Sequence, residues 1–185
     1  YQDARDLKNI VYTEYNIEGN PELQFVNLVL EVKPTQVTLV PDANDAITSN
    51  AGWNTIKHHE FLTEIVKEFK QNGIRTSIFV DPTLEMIEGA AKIGTDRIEL
   101  YTEHFAHQYG LGNKSGIDSY VAAAKLANEL NLGINAGHDL SLDNLKFFKQ
   151  NIPQLEEVSI GHALISDALY LGIENTIQRY TLLLK

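Results

Sequence analysis

Residues 74–101 read IRTSIFVDPTLEMIEGAAKIGTDRIELY: a short β-rich run, an amphipathic run and a second short β-rich run. Ile74–Val80 carries the β-branched and aromatic residues of a buried strand. Asp81-Pro82 then offers an N-cap followed by proline at the first helical position. The helix this starts runs to about Ile93, where Gly94 can close it. Arg97–Tyr101 is again a strand. Two strands separated by a helix, with no hairpin turn between them, imply parallel pairing through a right-handed crossover.

The alternation repeats in both directions. Upstream, Val11–Ile17 reads as a strand stopping at Gly19, and Glu22–Val32 as a helix with Phe25, Leu28, Val29 and Val32 at helical spacing. Gln36–Val40 is a strand closed by Pro41, and Thr55–Gln71 a helix. Downstream, Ile117–Asn131, Leu142–Gln150 and Ala163–Leu184 read as helices, with Ser141 available to cap the second. Leu132–Ala136 and Glu157–Ile160 are strands. This makes six strand–helix units of about 30 residues each in one domain over residues 1–185. An open doubly wound sheet fits, and so does a (β/α)8 barrel. A full barrel usually takes about 250 residues, so six units leave it two short. Two connections, Pro41–Asn54 and Thr102–Gly116, are long. Both follow the carboxyl end of a strand, where parallel α/β folds bind ligands, and both are candidate lids.

Composition bounds the function. The chain has 185 residues, 15 Lys and Arg against 25 Asp and Glu, a net charge of −10 and no cysteine. The missing cysteines exclude a disulfide scaffold, a Cys-type zinc site, an iron–sulfur cluster and a thiol nucleophile. The acidic balance argues against a nucleic-acid partner, and no apolar run is long enough to span a bilayer. No signal segment follows Tyr1, so the expected compartment is the cytoplasm. Asn113-Lys114-Ser115 reads as a chance match to a glycosylation acceptor.

The polar residues at strand ends carry the chemistry. Glu18 follows Tyr15-Asn16-Ile17, Glu99 lies within Arg97–Tyr101, His138 ends Ile134–His138 and His162 ends Ser159–His162. In a parallel barrel these ends converge on one mouth. Two carboxylates and two imidazoles there could move protons near neutral pH or hold a divalent metal. Gly137 and Gly161 each sit between a strand and a helix, where backbone N–H groups can face an anion. On the last two strands this matches the usual phosphate site of barrel enzymes. His58-His59 reads as a solvated helix face, and His104-x-x-His107 has metal spacing but no third ligand.

Asn16-Ile17-Glu18, Leu30–Pro34, Thr38–Asp42, Ile47-Thr48, Asn135–His138 and Ile160–Ala163 occur in an order and spacing that resemble the pyridoxine 5′-phosphate synthase family. The resemblance covers essentially the whole chain. It implies a TIM (β/α)8 barrel, assembly as octamers, and neither metal nor organic cofactor. It also implies condensation of 1-deoxy-D-xylulose 5-phosphate with 3-amino-2-oxopropyl phosphate to pyridoxine 5′-phosphate, phosphate and water. Residue by residue it makes Glu18 a general base, His138 a proton donor and Glu99 a stabiliser of the transition state. Thr48 would contact the deoxyxylulose phosphate, and Asp139, Gly161 and His162 the amino-ketone phosphate. Asp139 stands where better-known members have glycine, so its carboxylate must point away from the phosphate or be paired. The family's opening strand with its Asn-x-Asp-His motif, and the arginine-rich turn after it, have no counterpart here. The six units would therefore be strands three to eight, and these 185 residues alone are expected to turn over little substrate. Two rivals remain: a metal-dependent sugar-phosphate isomerase or epimerase using Glu18, Glu99, His138 and His162, and a non-catalytic phosphate-binding barrel derivative.

Overall fold

A computed structural model describes residues 1–42 and 48–185. Six parallel strands pair in sequence order: β1 (Asn16–Gly19), β2 (Gln36–Leu39), β3 (Arg75–Val80), β4 (Arg97–Tyr101), β5 (Gly133–Gly137) and β6 (Leu155–Ser159). The helices between and around them are α1 (Gln2–Leu7), α2 (Leu23–Val32), α3 (His59–Gln71), α4 (Leu84–Ile93), α5 (Glu103–Gly110), α6 (Asp118–Glu129), α7 (Leu145–Asn151), α8 (His162–Leu171) and α9 (Ile173–Leu183). Sequential parallel order with a helix after each strand is the winding of a barrel wall, and it sets aside the doubly wound alternative, whose strand order reverses.

Alternation along the strands sorts the side chains. Val37 and Leu39, Ile78 and Val80, Ile98 and Leu100, and Ile134 and Ala136 are buried in one apolar cluster with Val29 of α2, Phe69 of α3, Ile87 of α4 and Ala124 of α6. The opposite face is polar. At its amino-terminal end Arg75 Nε donates to Gln36 Oε1 (2.9 Å), and Arg97 Nη1 donates to Asn135 Oδ1 (3.0 Å) and Glu157 Oε2 (3.1 Å). The half-buried guanidinium of Arg97 is thus satisfied by acceptors from two neighbouring strands. One register row, Phe79–Glu99–Asn135–Glu157, runs from this network to Glu99.

Several elements depart from the sequence reading. The expected strand from Val11 begins only at Asn16, because Tyr12, Thr13 and Glu14 are exposed and have no strand to pair with. Asp81 does not cap α4. Thr83 takes that position, and the Asp81 carboxylate accepts the Gly52 N–H (3.1 Å) instead. Residues 102–116 are not a loop, since they fold into α5 and a 3-10 turn at Lys114–Ile117. The last expected helix is two, broken at Gly172, whose φ of 78° no helix can use. Of the expected lid, residues 43–47, and with them Ile47 of the Ile47-Thr48 motif, lie outside the described residues.

Candidate active site

The carboxyl ends of the strands open into a cleft of about 470 Å³. Every candidate picked from the sequence lines it. Glu18 comes from β1, Thr48 from the connection after β2, and Glu99 from β4. His138 and Asp139 follow β5, while Gly161 and His162 begin α8. No two of these elements adjoin in sequence, so the convergence is a product of the parallel winding.

Glu99 is the deepest. It is 1% exposed, and its Oε2 has no hydrogen-bond partner. Its other carboxyl oxygen occupies the space above Gly137: a Cβ there would fall 2.1 Å from Glu99 Oε1. Burial, with the Glu18 charge second, pushes the Glu99 carboxyl up to about 8, against smaller opposing help from the Ser159 and Thr38 hydroxyls. It is therefore mostly a neutral acid at pH 7, able to donate a hydrogen bond. Glu18 sits on the outermost strand, where its surface is open to solvent. The protein crowded behind its carboxyl still raises its pKa, as does Asp42, while His138 opposes the rise.

His138 is held on both ring nitrogens. Nε2 lies 2.8 Å from Thr48 Oγ1, and Nδ1 lies 3.0 Å from Asp139 Oδ2. The edge of its ring meets Tyr101 (centroids 5.0 Å, planes at 83°). The Tyr101 hydroxyl donates to the Ser49 carbonyl (3.2 Å), which ties the connection after β2 to β4. Gly161 leads into α8 with open space where a Cβ would stand. The first-turn N–H groups of α8 have no partner within the helix, and Gly161, His162 and Ala163 line the cleft.

Sequence reasoning missed Tyr101, Ser159 and Asp42. The first two are inward-facing members of strands already recognised, and the period-two pattern through Glu99 could have found Tyr101. Asp42 was quoted only as part of a motif. Among the described residues, no group of three or more His, Asp or Glu side chains is placed to hold a metal ion. His104 and His107 are exposed on α5, and His58 packs its ring edge on Trp53 (5.2 Å). No helix of the described residues is long and apolar enough to cross a membrane.

Comparisons with known proteins agree with this fold. Among solved structures, 3-keto-L-gulonate-6-phosphate decarboxylase from Vibrio cholerae superposes with a TM-score of 0.66, covering 99% of this chain and 78% of that one. Phosphoribosylanthranilate isomerase from Thermotoga maritima gives 0.59 over 99% and 78%. At 9% and 11% identity these share the fold alone. Curated relatives are far nearer. The pyridoxine 5′-phosphate synthase of Flavobacterium johnsoniae is 75% identical over 185 residues, all of this chain and 78% of that protein. That of Christiangramia forsetii is 65% identical over the same span and share. The family described as "Pyridoxal phosphate biosynthesis protein PdxJ" matches residues 1–185, and the chain belongs to that family.

Proposed function

We propose that this chain carries the pyridoxine 5′-phosphate synthase reaction, the condensation of 1-deoxy-D-xylulose 5-phosphate with 3-amino-2-oxopropyl phosphate, by proton transfer within the cleft. The observation that carries the reading is the convergence of Glu18, Glu99 and His138 from three separate strands on one cavity. Amine addition, dehydration and ring closure each need a base, an acid and a group that stabilises a developing oxyanion. Glu18, exposed at the rim and ionisable, is the base. His138 presents Nε2 to the cleft and delivers the proton. Neutral Glu99 donates a hydrogen bond to oxygen as charge grows on it, a role that an ionised carboxylate could not fill. Thr48 and the amino-terminal turn of α8, with Gly161 and His162, take the phosphorylated ends. Among the described residues, those lining the cleft offer phosphate backbone N–H groups and imidazole.

The same reading assigns β1–β6 to strands three to eight of an eight-stranded barrel. Strictly sequential parallel order and the 78% share of the relatives' length support it. An octamer and a cytoplasmic location go with that assignment. The test is product formation by the protein expressed from its complete gene, given both phosphorylated substrates. Pyridoxine 5′-phosphate should accumulate, and it should be lost in Glu18→Gln and in His138→Asn. A folded protein that makes no product from this pair would overturn the assignment.

A further inference from the structure

We propose that Asp139 is a positioning residue for His138 rather than a contact to substrate: its carboxylate fixes the imidazole in one tautomer, with Nε2 aimed at the cleft. The inference rests on the reading above, in which His138 is the proton donor.

Three observations carry it. The first is contact. Asp139 Oδ2 lies 3.0 Å from His138 Nδ1, while Thr48 Oγ1 lies 2.8 Å from Nε2 on the other side of the ring. An ionised carboxylate only accepts hydrogen bonds, so Nδ1 must carry a proton. Nε2 is then the atom that gains and loses the second proton. When protonated it donates, and when neutral it accepts from the Thr48 hydroxyl. The chain Asp139–His138–Thr48 thus leaves the exchangeable proton on the cleft side.

The second observation is backbone conformation. His138 and Asp139 both have positive φ, 83° and 58°, a state that costs energy for residues with a Cβ. Neighbouring side chains point apart in a strand, whereas this left-handed turn brings an adjacent pair into hydrogen-bond contact. The third is support from around the turn. Buried Thr102 donates from Oγ1 to the Gly137 carbonyl (2.7 Å). Buried Asn144 donates from Nδ2 to the Asp139 carbonyl (3.0 Å), and its Oδ1 accepts the Ser141 N–H (2.8 Å). The strained turn is therefore gripped on both sides, and what it presents is the paired imidazole and carboxylate. When the imidazole is protonated, the pairing also offsets the carboxylate charge, which would otherwise repel a phosphorylated substrate.

Other ionisable groups lie near His138: Glu18 from β1 and Tyr101 from β4 act on it, and Glu99 and His162 line the same cleft. Of these Glu18 acts on the ring through space and does not fix a tautomer, so tautomer separates its influence from that of Asp139.

The experiment uses the protein expressed from its complete gene, with ¹⁵N-labelled histidine and His138→Asn to assign the signals. Asp139→Gly removes the carboxylate and suits a positive φ. Asp139→Asn keeps an acceptor oxygen and also tolerates a left-handed backbone. The wild type and Asp139→Asn should show His138 neutral only as the Nδ1–H form, and Asp139→Gly should show a mixture. In turnover, Asp139→Gly should lose about 10- to 100-fold in kcat, by comparison with the loss when a carboxylate that orients a metal-bound imidazole is removed. KM for both phosphorylated substrates should stay within a factor of about two, and Asp139→Asn should recover most of kcat. An unchanged Nδ1–H tautomer in Asp139→Gly overturns the proposal. So does a change confined to KM, which would make Asp139 a substrate contact. If the protein makes no pyridoxine 5′-phosphate at all, the functional reading fails, and the tautomer measurement still decides what Asp139 does to His138.

Discussion

Glu99 stays protonated well above the ordinary carboxylate range because it is buried, lacks a partner on Oε2 and lies near the charge of Glu18. This links stability to pH with a definite sign. The unfolded chain releases this proton near 4.5, whereas the folded protein keeps it to about 8. Between those values the native state binds more protons than the unfolded state, so stability falls as pH rises through the window. Below it the two states are alike in this group. Glu99→Gln removes the titration and keeps the shape. Its Tm should therefore decline less than that of the wild type between pH 5 and pH 8, while turnover falls. Equal Tm profiles would show that Glu99 ionises normally. Glu18→Gln should cost about 10²- to 10⁴-fold in kcat, the range for a general base, with little change in Tm because the side chain is exposed. At this scale the strand-end acids and imidazoles were legible, since parallel strands bring like ends together. The partner of Asp139 was not, because nothing in Gly137-His138-Asp139 announces two successive residues with positive φ.

The close approach between β4 and β5 is specified by a single missing methyl group. A Cβ at position 137 would meet Glu99 Oε1 at 2.1 Å and Ser159 Cβ at 3.2 Å. Gly137→Ala must therefore move the Glu99 carboxyl, and kcat should fall while the strands stay paired. A crystal structure of the variant and its turnover check this together, and wild-type activity would mean that the position of Glu99 is unimportant. The junction of α8 and α9 makes a different demand. Gly172 has φ 78° and ψ 146°, and its would-be Cβ meets nothing. Gly172→Ala should thus cost about 1–3 kcal/mol through backbone strain alone, seen as a Tm several degrees lower with kcat unchanged. Such conformational breaks explain which elements the sequence hid. Residues 163–184 keep a helical pattern across Gly172, and an isolated glycine inside such a pattern does not by itself end a helix. In α5 only Phe105 is buried, so no periodic apolar face marks it among its glycines. Helices α2, α4 and α6, with several buried residues each on one face, were read to within a few residues.

At the scale of the molecule, β1 and β6 each pair on one side only among the described residues. An unpaired edge offers a row of free N–H and C=O groups to any other strand. Following β6 in sequence, α8 buries none of its residues, and Leu169 and Tyr170 are 81% and 90% exposed. Ile165 of α8 and Ile173 and Ile177 of α9 are also about half exposed. Single exposed apolar residues are normal, but several on two consecutive helices favour association. The polar inner face adds to this, because the Arg97–Glu157–Asn135 network is partly open, with the Arg97 and Glu157 side chains 15% and 24% exposed. The strand alternation made the six strand–helix units legible in the sequence, two fewer than a full barrel has. A polypeptide of these 185 residues alone should therefore self-associate and bind the dye ANS. The protein from the complete gene should bind far less dye, in a discrete assembly measurable by light scattering. A well-behaved monomer of the short chain without dye binding would show that the six strands protect their own edges. The eight-stranded assignment would then lose its physical motive, even though the family membership would stand.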